Sequence, residues 1–317
     1  MRFILRKVLA LIVVLLVVTT LSFLLLELLP ASPATVVLGP FATKSAIANF
    51  NHVNGLDKPF LVQYWRYVTG VLHGNLGHDF LNHEPVRTAV GQRLPVTFEL
   101  LLLSQVLALA VAVPLGILSA YRPNGIIDRL SATVTFGLLA APAFVIAVPL
   151  VLLFAVKWHV FPATGYTGIS HSVGKNLRSV LLPSITLALP SMASYLRLLR
   201  ADMIATLQED FITMAKAKGL PTWRILLRHA FRPSTFSLVT VGGLNVGTLI
   251  GGTVIVETIF ALPGIGNLAI LSITERNYAM VQGTVLVIAV GYVLVNFFVD
   301  LLYAVIDPRV RHVGAVA

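Results

Sequence analysis

The sequence contains no cysteine among its 317 residues. This absence excludes disulfide scaffolds, thiolate metal sites, iron–sulfur clusters and thiol catalysis. Charged residues are also scarce at 11%, whereas soluble domains contain about 25%. With 57% hydrophobic residues and a mean hydropathy of +0.88, the composition argues against a water-soluble globular protein and favours one embedded in a bilayer.

Sites for nucleotides, metals and catalysis are missing as well. The Gly-x-x-x-x-Gly-Lys-Ser/Thr loop that cradles phosphates does not occur, so we expect the chain to bind no ATP itself and to depend on a partner or an ion gradient. His73, His78 and His83 recur every five residues, a spacing that neither a helix nor a strand gathers on one face, and we predict no metal site. Because no nucleophile lies beside a base, we expect no catalytic residues, and a membrane enzyme is the least favoured class.

Apolar blocks long enough to cross a bilayer recur along the chain. The first, Val8–Leu29, has 22 residues, and a hydrocarbon core about 30 Å thick needs about 20 residues of helix. It is too long for the apolar region of a signal peptide, which has about 7 to 15 residues. The predicted fold class is an all-α membrane protein with six transmembrane helices. The five further spans are Leu94–Tyr121, Leu130–Val156, Val180–Leu199, Phe236–Phe260 and Val281–Ile306.

The distribution of basic residues predicts the orientation of these helices. If both termini are cytoplasmic, 14 of the 23 lysines and arginines fall on the inner side. Cytoplasmic segments of membrane proteins carry such an excess, so both termini are predicted to lie inside. The same rule accounts for the net charge of +10 without a nucleic-acid partner.

Two hydrophilic segments divide the apolar blocks. The predicted domains are an N-terminus with the first helix, residues 1–29, an extracytoplasmic segment, residues 30–93, and a core, residues 94–317. In the outer segment, Tyr64, Trp65 and Tyr67 have about helical spacing, and we predict that they are ordered against the membrane domain. A folded lid without a binding role remains open for this segment.

The inner segment, residues 200–232, has the pattern of a helix-turn-helix. Thr206 and Glu209 have the spacing of a capping box, which predicts a helix start at Thr206. Gly219 is placed to end this helix in the left-handed conformation, and Pro221 fits the first turn of a second helix ending at Phe231. An interfacial helix whose lysines lie at lipid headgroups is the alternative.

Short motifs follow one another along nearly the whole chain. They include Gly55-Leu56-Asp57-Lys58-Pro59, Gly74-Asn75-Leu76-Gly77, Leu94-Pro95-Val96-Thr97, Pro142-Ala143-Phe144, Phe161-Pro162-Ala163-Thr164-Gly165-Tyr166, Asp210-Phe211-Ile212, Ala215-Lys216-Ala217-Lys218-Gly219-Leu220, Leu227-Arg228-His229-Ala230, Val256-Glu257-Thr258-Ile259-Phe260 and Asp307-Pro308-Arg309. In this order they resemble binding-protein-dependent ABC importer permeases, most closely the dipeptide and oligopeptide group. The inner segment resembles that family's cytoplasmic signature loop, although Thr213-Met214-Ala215 replaces the usual Glu-Ala-Ala.

The resemblance implies a function and a set of partners. The chain would be the permease subunit of an importer for dipeptides or oligopeptides in the bacterial cytoplasmic (inner) membrane. Its partners would be a second homologous permease subunit, two ABC ATPase subunits that bind ATP and Mg, an extracytoplasmic solute-binding protein and the lipid bilayer. The 200–232 loop would couple ATP hydrolysis to transport. The implied coupling residues are Asp210, Ala215, Lys216, Ala217, Lys218, Gly219 and Leu220.

Glycines recur every four residues in the fifth predicted span. Gly243, Gly247 and Gly251 form a small-residue stripe, which predicts a close helix-packing face. Lipid-facing glycines without a role are the alternative.

Two other functions remain open from the sequence. One is a self-sufficient secondary transporter or channel with six spans. The other is a permease of the same group that carries nickel chelate, glutathione or haem.

Overall fold

The computed structural model describes residues 2–27 and 32–306. All regular secondary structure in these two ranges is helical, apart from one isolated β-bridge between His78 and Pro85. The first five helices are α1 to α5, of which α2 to α4 belong to the outer segment. They span Arg2–Glu27, Pro33–Leu38, Lys44–Asn54, Phe60–Leu72 and Val86–Tyr121.

The second part of the chain contains seven more helices. The segment Ile225–Ala230 within α10 and the last seven residues of α7 are wound as π-helix. The bounds of α6 to α12 are Ile126–Ala140, Ala143–Lys157, Val173–Thr206, Asp210–Ala217, Thr222–Ile259, Ile265–Thr274 and Tyr278–Ile306.

Within the described residues, four helices are long and apolar enough to cross a membrane: α5, α8, α10 and α12. A fifth span results if α6 and α7 are counted together, but these helices are bent by 111°. The span predicted over Leu130–Val156 is therefore divided into two helices. Pro142 causes the break, because a residue that precedes proline is driven out of the helical conformation, and Ala141 is extended with ψ 124°.

The helices begin earlier than the spans predicted from hydropathy, most clearly α5 and α10. Helix α5 starts at Val86 instead of Leu94, because Val86, Ala89 and Val90 are buried against α11 and α12. Helix α10 starts at Thr222 instead of Phe236. The predicted second helix of the inner segment and the fifth predicted span are thus one helix.

The chain forms two compact units. In the described residues, the first unit comprises the chain up to Thr97 together with Pro263–Leu294. The second unit comprises Phe98–Leu262 together with the chain from Val295 onward.

In the first unit, α4 packs on α1 through aromatic side chains. The ring of Phe23 lies 5.6 Å from that of Phe60 and 5.7 Å from those of Tyr64 and Tyr67. The Tyr67 hydroxyl donates a hydrogen bond of 3.1 Å to the carbonyl of Gln282 in α12. Burial raises the pKa of Tyr67 well above its ordinary value, so this donor stays protonated. The predicted ordering is confirmed for Tyr64 and Tyr67 but is wrong for Trp65, which is 67% exposed.

A turn after α4 is fastened to the start of α12. The buried Asp79 carboxylate accepts hydrogen bonds of 2.6 Å from the Leu81 amide and from the Asn277 side chain. Helices α5 and α12 also approach closely, since a Cβ added at Gly283 in α12 would lie 2.2 Å from Cγ1 of Val86 in α5. Only glycine fits at this position.

In the second unit, an ion pair joins α6 to α8. The guanidinium of Arg200 binds Asp128 through two hydrogen bonds, one of them 2.8 Å long between Nη2 and Oδ2. The same carboxylate accepts a hydrogen bond of 2.8 Å from the backbone amide of Asn124. Asp128 is buried, so these partners replace the water that a carboxylate otherwise requires.

The three glycines of α10 have different surroundings. A Cβ added at Gly243 would lie 2.4 Å from Cγ2 of Val299 in α12, so the helices are in contact there. Gly247 is buried, whereas Gly251 is exposed and an added Cβ would meet no atom within 4 Å. Within this chain, a close helix contact is thus required at Gly243 and is absent at Gly251.

We predict that Gly243→Leu destabilises the protein and that Gly251→Leu does not. A leucine at position 243 must push α10 and α12 apart, and overpacking of this kind costs about 1 to 3 kcal/mol. The measurement is the thermal unfolding temperature of the two variants in the same detergent. Equal unfolding temperatures for Gly243→Leu and the wild type would show that the contact with Val299 is loose.

Candidate functional site

The inner segment folds as a helix-turn-helix with a later start than the capping box predicts. Thr206 is the last residue of α8, and its hydroxyl lies 3.1 Å from that of Ser234 in α10. Helix α9 begins at Asp210 after Glu209, whose side chain makes no capping hydrogen bond. The predicted start at Thr206 is therefore wrong. Met203 and Leu207 pack into the core of the second unit, and this packing continues α8 as far as Thr206, the residue predicted to start the next helix.

Gly219 ends α9 in the left-handed conformation, with φ +71°. The Gly219 amide donates to the carbonyl of Lys216 at 2.9 Å, and the Leu220 amide donates to that of Ala215 at 3.3 Å. This pair of bonds is a Schellman motif, which satisfies two carbonyls left free by the helix end. Pro221 then precedes α10 as its N-cap with φ −65°. The two helices are thus joined by a short turn of defined geometry.

One face of α9 anchors it to the second unit. Ile212 is fully buried and Ala215 is 6% exposed, and both pack in a core with Leu199 and Met203 of α8. Leu220 is packed against this core, as are buried residues from the first turns of α10, Ile225 and Ala230. Of the predicted coupling residues, Ala215 and Leu220 therefore hold the helix in place.

The other predicted coupling residues lie on the opposite, exposed side. They are Asp210, Lys216, Ala217, Lys218 and Gly219. Helix α9 thus has one face anchored in the core and other residues exposed at the surface.

Four large apolar side chains are also exposed here, and the sequence interpretation did not single them out. We call Phe211, Met214, Trp223 and Leu227 the apolar patch; they are 43%, 61%, 60% and 53% exposed, respectively. Arg224 lies over the Trp223 ring at 5.4 Å, and Arg228 is exposed as well. Phe211 and Met214 are three residues apart, and each directly precedes a buried residue, Ile212 or Ala215. This helical spacing is the signal that could have identified a second apolar face on α9.

A polar contact inside the second unit was not predicted either. The buried Tyr195 hydroxyl donates a hydrogen bond of 2.7 Å to Oε1 of Gln105, which joins α8 to α5. Nε2 of Gln105 is buried without a hydrogen-bond partner. The predicted packing glycines Gly243, Gly247 and Gly251 lie farther along α10 and take no part in the helix-turn-helix.

Comparison with known proteins identifies the family. The model described as the inner membrane component of binding-protein-dependent transport systems matches residues 112–312. A companion model for the N-terminal part of such membrane components matches residues 1–101. Together these matches cover both compact units and the helix-turn-helix.

Relatives match over nearly the full length. The probable peptide ABC transporter permease protein y4tP of Sinorhizobium fredii is 37% identical over 310 residues, which are 98% of this chain and 99% of the relative. The glutathione transport system permease protein GsiC of Salmonella typhimurium is 34% identical over 312 residues, with the same coverage of both chains. The chain is thus a multi-pass protein of the bacterial inner membrane, and it belongs to the family of permease subunits of binding-protein-dependent ABC importers.

Proposed function

We propose that this permease moves dipeptides or oligopeptides across the cytoplasmic membrane, and that the helix-turn-helix of α9 and α10 couples this movement to ATP hydrolysis in a separate subunit. The observation that carries the coupling proposal is the two-sided helix α9. Ile212 and Ala215 are buried in the core of the second unit, while Phe211 and Met214 on the same helix are exposed. Because α10 continues from Thr222 to Ile259, a displacement at the turn is transmitted directly into a span-length helix.

The apolar patch and its basic neighbours suit a protein partner. Tryptophan and arginine are enriched among the residues that dominate binding energies at interfaces, and Trp223 lies under Arg224 here. Lys216, Lys218 and Arg228 are exposed around the patch and would favour a groove with acidic residues. The proposed partner that binds the apolar patch is an ATPase subunit, which carries its own ATP and Mg.

The proposed topology has six spans and two cytoplasmic termini, with α1 as the first span and the bent pair α6 and α7 as the third. In this arrangement, residues 30–93 lie outside, residues 200–232 lie inside, and residues 94–317 form the permease core. The excess of basic residues on the inner side supports this orientation. The proposed assembly contains a second homologous permease, two ATPase subunits and an extracytoplasmic solute-binding protein. We propose no catalytic role for this chain.

Glutathione is a second candidate substrate, since a relative with 34% identity is named as a glutathione permease. The two candidates differ in the linkage and length of the peptide. Titration of the cognate solute-binding protein with dipeptides, longer peptides and glutathione distinguishes them, and we expect the tighter binding for peptides with ordinary linkages. Tight binding of glutathione alone would replace the peptide proposal.

Changing Gly219 tests the coupling role without disturbing a packing contact. An added Cβ at Gly219 would meet no atom within 4 Å, so the cost of substitution comes only from its backbone conformation at φ +71°. In a β-branched residue this conformation costs about 1 kcal/mol or more, whereas asparagine tolerates it. We predict that Gly219→Val abolishes peptide uptake and substrate-stimulated ATPase activity, and that Gly219→Asn largely retains both.

Two controls accompany this experiment. Co-purification of all subunits shows whether each variant assembles, and the substrate affinity of the isolated binding protein is expected to stay unchanged. A Gly219→Val transporter that assembles and takes up peptide at the wild-type rate would contradict the coupling role.

A further inference from the structure

Helix α4 has three distinct sides. The first is formed by Phe60, Tyr64 and Tyr67, which pack against Phe23 of α1. Successive residues of a helix are rotated by about 100°, so Leu61, Trp65, Val68 and Leu72 form a second, neighbouring stripe. This lateral stripe is apolar, and its members Leu61, Trp65 and Leu72 are 74%, 67% and 79% exposed.

The third side of α4 is polar. Gln63 Nε2 donates a hydrogen bond of 2.8 Å to the carbonyl of Lys58 in the loop before the helix. Arg66 is exposed, and its Nη1 would lie 3.0 Å from a Cβ added at Gly55, just after α3. Helix α3 has no buried residue. The polar side of α4 therefore faces a hydrated part of the first unit.

The contacts with α1 place α4 at a definite depth. Phe23 and Thr20 lie four and seven residues before Glu27, the last residue of α1 that the structure describes, which corresponds to about 6 Å and about 10 Å of helix. Thr20 Oγ1 donates a hydrogen bond of 2.9 Å to the Tyr64 hydroxyl. Thr19 Oγ1 lies 3.3 Å from the same hydroxyl. Amphipathic helices at a membrane surface are buried by about 5 to 10 Å, which matches these distances.

The exposed side of α1 extends the apolar surface of α4. Val13, Val17, Leu21 and Leu24 of α1 are 56%, 51%, 51% and 45% exposed. Exposed apolar residues of a membrane span are suited to contact with lipid acyl chains. Because α4 packs on the same helix, its apolar stripe adjoins such a helix.

We propose that α4 lies in the outer leaflet of the bilayer as an interfacial helix, with Leu61, Trp65, Val68 and Leu72 against lipid acyl chains. Its polar side, with Gln63 and Arg66, then faces the water outside the membrane. The proposal rests on the proposed function in one respect, since it takes α1 as the first membrane span. The outer segment is in this way an anchored part of the membrane domain on its lipid-facing side.

Spin-label accessibility in the assembled transporter, reconstituted in lipid bilayers, tests this placement. The chain has no cysteine, so single labels can be introduced at Leu61→Cys, Trp65→Cys and Leu72→Cys, with partner subunits that lack cysteine. Oxygen concentrates in the acyl region, whereas a nickel chelate stays in water. We expect a ratio of oxygen to nickel collision rates several-fold higher at these three positions than at the matched control Arg66→Cys.

Each other outcome overturns the proposal in a recognisable way. Nickel accessibility at Leu61, Trp65 and Leu72 equal to that at Arg66 would place the stripe in water. Low accessibility to both reagents would show that a protein subunit covers it.

A label at Val17→Cys reports separately on α1. If that label contacts lipid while the α4 labels do not, the helix placement fails and the topology stands. If Val17→Cys is exposed to the nickel chelate, the topology itself fails.

Discussion

The packing of α9 into the core of the second unit is the constraint on which the rest of the inner site depends. Ile212 and Ala215 are buried in a core that also contains Leu199 and Met203 of α8 and Ile225 and Ala230 of α10. A helix of eight residues is far too short to be stable alone in water. Its stability comes from this packing and from the Schellman motif at Gly219. In the proposed function, the same packing that holds α9 in place would also transmit force from it.

Because of this packing, neighbouring residues of α9 have different roles. The inner face of α9 is committed to the core, which leaves the apolar patch available for a partner. Removing exposed apolar side chains such as Trp223 and Met214 from water would stabilise a complex by roughly 25 cal/mol per Å² of apolar area buried. Because α10 is one helix from Thr222 to Ile259, the proposed binding at the patch would displace a span-length helix. Farther along the same helix, Gly243 is in close contact with Val299 of α12.

Much of this architecture can be predicted from the sequence, because hydropathy and helix-stop residues are local signals. The span-length helices α5, α8, α10 and α12 and the left-handed stop at Gly219 follow from such signals. The helix bounds do not, since they depend on tertiary contacts: buried Val86 extends α5 backwards, and packing of Met203 continues α8 as far as Thr206, where the capping box predicts a helix start. The sharp bend after Ala140 was missed because proline within a span usually produces only a kink. The exposure of Trp65 and of the apolar patch depends on what each helix packs against, which no single segment specifies.

The central claim is that the apolar patch is the contact surface for the ATPase, and photo-crosslinking from single cysteines tests it most directly. A benzophenone placed at Met214→Cys or Trp223→Cys reacts with whichever chain lies beside it in the assembled transporter. The matched control is Leu244→Cys, which lies on the same helix as Trp223 and is 53% exposed. The account predicts crosslinks to the ATPase subunit from positions 214 and 223 and none from position 244. Its central claim would be contradicted if an active, assembled transporter gave no ATPase crosslink from either patch position.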